Sequence, residues 1–311
     1  MVPEAVIGFT ERVTIAPSAR VSPSAVPVGP AHDVASAFVE HGYLVVPGLV
    51  GLDDIARVNA ELPAFARGDY PALNPIDLPD GCSDDEAVDH LLAIHFPHWV
   101  SPVVLELVHH GGVCDVIAQI AAAHLPEWDG SAKCMQSMLF VKPAGYQGQA
   151  WHQDEHYIPT RDRSLVGAWI ALDDATIENG CLWVLPGSHR SGYLWPVRSH
   201  DDPEQFDGAQ QAYGIEEKFP ESEAVPMEVN AGDVVFFNGY LLHRSLKNRT
   251  FGRRRALVNH YMSSWSPLHW DLLGGFAKED FRAVVPVTGV DPYAHLGYGE
   301  PWDKVYLRPR T

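Results

Sequence analysis

The second half of this chain is divided into short apolar runs that turn residues interrupt at close intervals. Each run is rich in branched and aromatic side chains, which favour β-strands. Pairs such as Asn179-Gly180, Pro186-Gly187 and Gly232-Asp233 supply the turns between them. The predicted strands are Cys134–Val141, Ala150–Tyr157, Val166–Leu172, Leu182–Leu185, Val225–Val229, Val234–Phe237 and Ala256–Met262. Several short strands with regular turn signals predict a β-sandwich or jelly roll.

The first half instead carries apolar residues three and four positions apart, a spacing that predicts helices. We predict helices over Asp33–His41, Leu52–Ala66, Pro102–Val108 and, after a break at Gly111-Gly112, onward to Ala123, with a short strand at Tyr43–Val46. The fold class is therefore α+β: a double-stranded β-helix (jelly-roll or cupin-like) core flanked by N-terminal helices.

The same patterns set the expected organisation of the chain. Residues 1–30 contain several prolines among small residues and predict an extended N-terminal arm. We expect 31–311 to form a single domain, helical over 31–130, a jelly roll over about 131–263, and a C-terminal extension over 264–311. The polar segment Arg190–Ala224 is long for a loop in a compact domain, which is typical of lids over functional sites or of solvent-exposed segments.

Composition excludes several classes of function. The net charge of −18 argues against a nucleic-acid substrate and against docking on anionic membranes, because both need a basic face. No run approaches the roughly 18 apolar residues of a membrane span, and no secretory signal is evident. The four cysteines form no CxxC pair, which favours reduced thiols. These features lead us to expect a cytoplasmic protein with a small-molecule partner.

The segment His152-Gln153-Asp154 carries the chemistry that this scaffold could present. On a β-strand, residues two apart face the same side, so the predicted strand Ala150–Tyr157 would present both side chains together. His243, far along the chain, is a candidate third ligand. Two imidazoles and one carboxylate on one face of a metal are typical of non-heme Fe(II) oxygenases. Because an HxD triplet occurs often by chance, the prediction depends on these residues converging.

The surrounding motifs strengthen that prediction through a resemblance. In chain order they are His152-Gln153-Asp154, Pro186-Gly187-Ser188-His189, Gly232-Asp233, His243-Arg244-Ser245 and Arg254. Together they resemble the phytanoyl-CoA hydroxylase family of Fe(II)- and 2-oxoglutarate-dependent dioxygenases, from about Met138 to Met262. The resemblance implies an enzyme that hydroxylates or otherwise oxidises a small molecule, using Fe(II) with 2-oxoglutarate and O2 as cosubstrates and releasing succinate and CO2.

The resemblance also implies roles for particular residues. The implied iron ligands are His152, Asp154 and His243. The implied 2-oxoglutarate contacts are Arg254, Ser245, Trp169 and Met138. Arg254 would bind the distal carboxylate, because a guanidinium forms a forked, charge-assisted pair with a carboxylate. Alternation along a strand would place Arg254 on the face opposite to Arg253 and Arg255.

Two further implications concern the walls of the site. Halogenases related to this family carry a small residue at the position of Asp154, so its carboxylate favours hydroxylation or another oxidation over halogenation. A lysine found upstream in the animal enzymes has no clear match here, and the segment Leu92–His95 is the candidate for that wall.

Several alternatives stay open at this point. Glu155, His156 and Tyr157 could face a substrate or be structural, and Arg161, Arg163 and Arg244 could pair with a substrate carboxylate or lie on the surface. The chain could instead be a metal enzyme on a cupin-like barrel that does not use 2-oxoglutarate, or a non-catalytic binding protein of the same fold. No basic site for the phosphates of coenzyme A is evident, which favours a free metabolite of secondary metabolism as substrate.

Overall fold

The computed structural model describes residues 34–266, 284–296 and 304–310. The predicted arm at 1–30 and part of the C-terminal extension lie outside these ranges. The helices are α1 Val34–His41, α2 Leu52–Arg67, α3 Asp84–Asp89, α4 Pro102–Val108 and α5 Gly111–Ile120. The strands are β1 Tyr43–Val46, β2 Leu91–His95, β3 Ala132–Lys142, β4 Val166–Ala171, β5 Leu182–Val184, β6 Val197–Arg198, β7 Gln211–Ala212, β8 Val225–Met227, β9 Val234–Asn238, β10 His243–Ser245, β11 Arg254–Ser263, β12 Val285–Thr288 and β13 Tyr306–Pro309.

An antiparallel sheet forms the centre of the fold. Its strands follow the order β1-β9-β4-β11-β3-β2-β13, and β12 pairs with β3. A second, three-stranded sheet has the order β10-β5-β8. Non-consecutive neighbours in both sheets are typical of a jelly roll, and the predicted class, a jelly-roll core with flanking helices, is confirmed.

Both faces of the central sheet are covered, and they serve different purposes. On one face, side chains such as Val234, Phe236 and Leu139 pack in one core with Val58 of α2 and Ile117 of α5. On the other face, alternate side chains of the same strands pack in a second core with the three-stranded sheet. Burial on both faces explains why these strands read as nearly continuous apolar runs. The candidate site lies on the second face.

The structure differs from the predicted elements at several points. Ala150–Tyr157 is not a strand: His152 makes one isolated bridge to His243, and a 3-10 turn covers Asp154–His156. The predicted break between α4 and α5 is present but falls at His109-His110, and Gly111-Gly112 begin α5, where the side chain of His110 accepts a hydrogen bond from the backbone N–H of Val113.

The segment 31–130, expected to be helical, also contributes β1 and β2 to the central sheet. The strand β2 was missed because its short run, Leu91–His95, gives no alternating pattern; four of its five residues are buried. The polar segment Arg190–Ala224 holds the small β6–β7 ribbon. Its Gln205 and Asp207 exchange backbone hydrogen bonds with Gly148, so this segment is folded against the site.

No single helix within the described ranges is long and apolar enough to cross a membrane, although α4 and α5, bent by 40°, together meet the length and composition of a span.

A buried ion pair ties β3 to the described C-terminal residues. Lys133 Nζ lies 2.9 Å from Asp291 Oδ2, and both side chains are almost fully buried. Asp291→Ala is expected to lower the free energy of unfolding by about 3–5 kcal/mol, because it leaves a buried ammonium without its partner. Urea denaturation measures this effect. The double variant Lys133→Met with Asp291→Leu should recover most of the loss, and an additive double loss would contradict the assignment.

Candidate active site

Three side chains converge on the face of the central sheet opposite the helices. The side chains of His152, Asp154 and His243 each offer one ligand atom, and these atoms lie within 4.8 Å of one another. Nε2 of His152 lies 3.6 Å from Asp154 Oδ1, and Nε2 of His243 lies 3.5 Å from the same oxygen. All three side chains are at least 87% buried, because the highest exposure is the 13% of Asp154. The convergence expected from the sequence is therefore present in the fold.

The backbone fixes both imidazoles in the orientation that a metal requires. His152 and His243 exchange backbone hydrogen bonds, 3.0 and 3.1 Å long. Nδ1 of His152 donates to Ala150 O at 2.8 Å, and Nδ1 of His243 donates to Leu241 O at 2.9 Å. Since a carbonyl only accepts, each ring carries its proton on Nδ1 and presents the Nε2 lone pair to the centre of the cluster when neutral. This donor set fits Fe(II).

Asp154 reaches the cluster without the predicted strand. Gln153 has extended backbone torsions, φ −129° and ψ 127°, and the 3-10 turn begins immediately after it. The backbone from His152 to Asp154 is therefore extended as in a strand, although only one β-bridge, from His152 to His243, forms there. The side chain of Gln153 is bonded to the backbone of Tyr193, Trp195 and Tyr240, and these bonds anchor the segment.

Charges within the cluster shift all three pKa values. Burial and the neighbouring His243 lower the pKa of His152 to about 4. Burial alone would raise the pKa of Asp154, but His243 and the hydrogen bonds from His243 and His260 hold it well below its usual value. Burial opposes protonation of His243 as well, yet the Asp154 carboxylate raises its pKa above 6.5. A proton on His243 thus partly neutralises the negative charge of the Asp154 carboxylate. A bound divalent cation would take the place of that proton.

This balance predicts a pH-dependent metal affinity. Below the raised pKa of His243, a binding metal must displace a proton, so the affinity for Mn²⁺ should fall about tenfold per pH unit as the pH decreases. Above that pKa the affinity should level off, because His152 is already neutral. Calorimetric titration with Mn²⁺ between about pH 6 and 9 in buffers of different ionisation enthalpy measures both the affinity and the protons released. Constant affinity over this range would contradict the arrangement.

A cavity of about 650 Å³ opens beside the cluster. Alternate residues of β3 line it, namely Gln136, Met138, Phe140 and Lys142. On the adjacent β11, Arg254 pairs in register with Lys142, and His260 pairs with Gln136. Lys142 and Gln136 are six residues apart on one strand, about 20 Å at ~3.3 Å per residue. The wall therefore has a cationic end and an end lined by an amide and an imidazole.

Two buried cations meet at the cationic end. Arg254 Nη2 donates to Gly180 O at 3.0 Å, and its guanidinium lies 5.4 Å from the Trp169 ring centroid. Burial lowers the pKa of Arg254 to about 10. Burial and the proximity of Arg254 lower the pKa of Lys142 well below 10.5. Neither cation forms a salt bridge with a described residue, so their surroundings fit an anionic ligand.

The four sequence-predicted contacts for such an anion all line this cavity. Trp169 and Met138 contribute from β4 and β3, and Ser245 contributes from β10. Arg253 and Arg255, as alternation suggested, point elsewhere: Arg253 pairs with Asp85 and Asp89, and Arg255 pairs with Asp173.

Lys142 is the residue that sequence reasoning missed. Its Nζ donates to Ser245 Oγ at 3.0 Å and to Leu246 O at 2.7 Å. The segment Leu92–His95, expected to replace the upstream lysine, forms β2 and places Ala93 and His95 beside Phe140 and Met138 without a lysine or arginine. The alternation of Met138, Phe140 and Lys142 along the strand could have identified Lys142 from the sequence, because residues two apart on a strand lie on the same face and Met138 was already a predicted contact.

The remaining candidates divide between the cavity and its surroundings. Tyr157, Arg244 and His95 line it, whereas Glu155, His156, Arg161 and Arg163 do not. Glu155 is buried and accepts hydrogen bonds from the backbone and hydroxyl of Thr160, and burial raises its pKa to about 8. Nε2 of His189 donates to the backbone carbonyl of Val39 in α1 at 3.0 Å, in agreement with a structural role.

A family model described as phytanoyl-CoA dioxygenase matches residues 38–256, which is more than half of the 311 residues. The chain belongs to the phytanoyl-CoA dioxygenase family. Membership in this phytanoyl-CoA dioxygenase family confirms the predicted enzyme class, an Fe(II)- and 2-oxoglutarate-dependent oxygenase, together with its cosubstrates. The matched span includes the His152, Asp154 and His243 cluster and both buried cations.

Curated relatives and solved structures agree with this membership in the phytanoyl-CoA dioxygenase family. The peroxisomal phytanoyl-CoA dioxygenase of Rattus norvegicus is 31% identical over 235 residues, 73% of this chain and 67% of the rat protein. The Homo sapiens protein is 37% identical over 266 residues, covering 80% and 72%. The non-heme monooxygenase ThoJ shares the fold with a TM-score of 0.61 at 20% identity, covering 89% of this chain and 88% of that one. The 2-oxoglutarate-dependent epimerase SnoN gives 0.57 at 20% identity, covering 88% and 96%.

Proposed function

We propose that His152, Asp154 and His243 hold Fe(II), and that Arg254, Ser245 and Lys142 bind the distal carboxylate of 2-oxoglutarate. The proposal is carried by one observation: two buried cations that form no salt bridge with any described residue face the same cavity as a set of two imidazoles and a carboxylate. The bound iron and 2-oxoglutarate would supply the oxidising chemistry, in which a substrate C–H, O2 and 2-oxoglutarate give the oxidised substrate, succinate and CO2.

The residues of this chain would orient the cosubstrate and exclude water from it. Arg254 and Lys142 lie side by side on paired strands, so their donors can approach both oxygens of one carboxylate. Ser245 accepts from Lys142 and from the backbone of Gln149, which fixes its hydroxyl at the same place. Trp169, Met138 and Phe237 form apolar walls around this end. A carboxylate bound here would favour the protonated state of Lys142, whose pKa burial lowers.

The rest of the cavity supports an uncharged substrate. Apart from Lys142 and Arg254, the described arginines and lysines that line it are Arg244 and Arg308. Arg244 pairs with Glu221 and stacks between Trp151 and Trp183, at 4.5 and 5.6 Å from their ring centroids. Arg308 pairs with Asp207 at 2.9 Å. No arginine or lysine of this described lining is thus left over for the phosphates of coenzyme A.

Four amide side chains are among the polar groups that line the cavity. Gln136, Gln147, Gln149 and Gln210 all line the cavity, and the buried Oε1 of Gln136 has no protein partner. An unpaired buried acceptor favours a ligand that donates a hydrogen bond, such as a hydroxyl group. We propose that the substrate is a free small molecule with an apolar body and hydroxyl groups. SnoN, a structural relative, is described as an epimerase from nogalamycin biosynthesis, which supports secondary metabolism as the setting.

A matched pair of ligands tests the substrate class. A long-chain acyl-CoA and the same acyl group on pantetheine differ in the phosphates and nucleoside, so calorimetry with protein saturated in Mn²⁺ and 2-oxoglutarate isolates their contribution. We expect the coenzyme A ester to bind no more tightly than the neutral thioester, and hydroxylated neutral aromatic compounds to stimulate succinate release. Tighter binding of the coenzyme A ester by tenfold or more would contradict an uncharged substrate. Absence of Mn²⁺-dependent 2-oxoglutarate binding would contradict the cosubstrate site itself.

The cytoplasmic location expected from the sequence stays a prediction, because the rat and human relatives carry the word peroxisomal in their names.

A further inference from the structure

The carboxylate of Asp154 is held from two sides, and the two sides use different oxygens. Oδ1 faces the Nε2 atoms of His152 and His243. Oδ2 instead lies 3.0 Å from Nε2 of His260, a residue that no motif in the sequence marked. We propose that His260 is a positioning residue whose Nε2–H holds Oδ2, so that Asp154 offers only Oδ1 to the metal. This inference rests on the proposed iron site.

His260 is placed to hold that oxygen firmly. An ionised carboxylate only accepts hydrogen bonds, so the imidazole is the donor and carries a proton on Nε2. His260 lies on β11 between β3 and β4, where it pairs in register with Gln136 and Gly167. Its side chain is 5% exposed. A ladder on both sides makes this strand far more rigid than the 3-10 turn that carries Asp154.

Holding one carboxylate oxygen determines how many positions the metal keeps for its cosubstrate. Two imidazoles and one carboxylate oxygen would supply three ligands to Fe(II), and a 2-oxo acid would need further open positions to bind beside them. A freely rotating carboxylate could place both oxygens on the metal and occupy a fourth position. The bond to His260 prevents this, because Oδ2 already accepts a hydrogen bond within the protein.

The experiment compares two replacements of His260 in the full chain. His260→Phe keeps a ring but removes the donor, whereas His260→Gln keeps a side-chain N–H. The affinities for Mn²⁺ alone, and for 2-oxoglutarate at saturating Mn²⁺, are measured by calorimetry. We expect His260→Phe to weaken 2-oxoglutarate binding by about 10- to 100-fold and His260→Gln to stay within a few-fold of the parent protein.

A control on the same strand separates positioning from disturbance of β11. The hydroxyl of Tyr261 donates to Val108 O on the opposite face, at 2.9 Å, so Tyr261→Phe loosens the strand without touching Asp154. It should leave both affinities unchanged.

Two results would overturn the role of His260. The first is a His260→Phe protein that binds 2-oxoglutarate like the parent. The second is a His260→Gln protein that loses as much affinity as His260→Phe, since a side-chain N–H at this position would then not support 2-oxoglutarate binding. Either result leaves the iron site intact as long as the parent protein binds Mn²⁺ and 2-oxoglutarate. Failure of the parent protein to bind them would instead contradict the proposed function.

Discussion

Asp154→Ala is expected to abolish Fe(II)-dependent conversion of 2-oxoglutarate to succinate and to weaken Mn²⁺ binding by more than about 100-fold. Loss of an outer hydrogen-bond partner costs metal affinity about 10- to 100-fold, and loss of a ligand should exceed that range. Asp154 also carries the only negative charge within the three-residue cluster, so its removal leaves two imidazoles with no counter-charge for a divalent cation. Calorimetry with Mn²⁺ and a succinate assay measure the two effects.

Glu155→Gln is the matched control for this prediction. Glu155 is the adjacent carboxylate, yet it is bonded to Thr160 and does not line the cavity. Its pKa of about 8 means that it is largely neutral at pH 7, and glutamine resembles that state. Mn²⁺ affinity should therefore persist in Glu155→Gln. If Asp154→Ala bound Mn²⁺ as tightly as this control, the three-residue cluster could not be the metal site.

Arg254→Leu is expected to weaken 2-oxoglutarate binding by about 2–5 kcal/mol, or roughly 30- to 4,000-fold, without changing Mn²⁺ affinity. The loss follows from removing one partner of a buried, charge-assisted pair. Arg254→Lys should recover only part of it, because an ammonium cannot form the forked geometry of a guanidinium. Calorimetry at saturating Mn²⁺ gives the affinity for 2-oxoglutarate in each variant.

Arg253→Leu provides the control for the same position in the chain. Arg253 points to the opposite side and pairs with exposed Asp85 and with Asp89. Its removal should leave 2-oxoglutarate affinity unchanged. A metal enzyme that does not use 2-oxoglutarate would show no difference between the Arg254 and Arg253 variants, so this comparison also tests the leading alternative function.

The fold and the main cluster could be predicted because their signals are local or ordered along the chain. Turn pairs such as Asn179-Gly180 separate the strands, and the motifs around His152 and His243 follow one another in a recognisable order. The strand predicted at Ala150–Tyr157 was wrong, and its run, which holds Trp151 and Tyr157 but no β-branched residue, carried only a weak strand signal. The structure uses only one bridge there and then turns, which brings Asp154 onto a 3-10 turn.

Other parts of the site depend on pairing that no local pattern reveals. Lys142 meets Ser245 across 103 residues of sequence, and His260 meets Asp154 across 106. Lys142 lies on β3 and His260 on β11, and a shift of one residue in the register of these strands would turn both side chains to the other face. The resemblance to the family identified Arg254, because this arginine follows His243 at the spacing of a family motif. Lys142 and His260 lie at no such motif spacing.

The alternation along β3 has a consequence for how this enzyme could change its substrate. Leu139 packs in the core beside the helices and contributes to folding, while its neighbours Met138 and Phe140 face the cavity. Substitutions at the even-numbered positions of β3 could therefore change the cavity, while odd-numbered positions such as Leu139 keep the core intact. New specificities could arise at the even positions without eroding the core, and directed evolution restricted to those positions should yield a high proportion of folded variants.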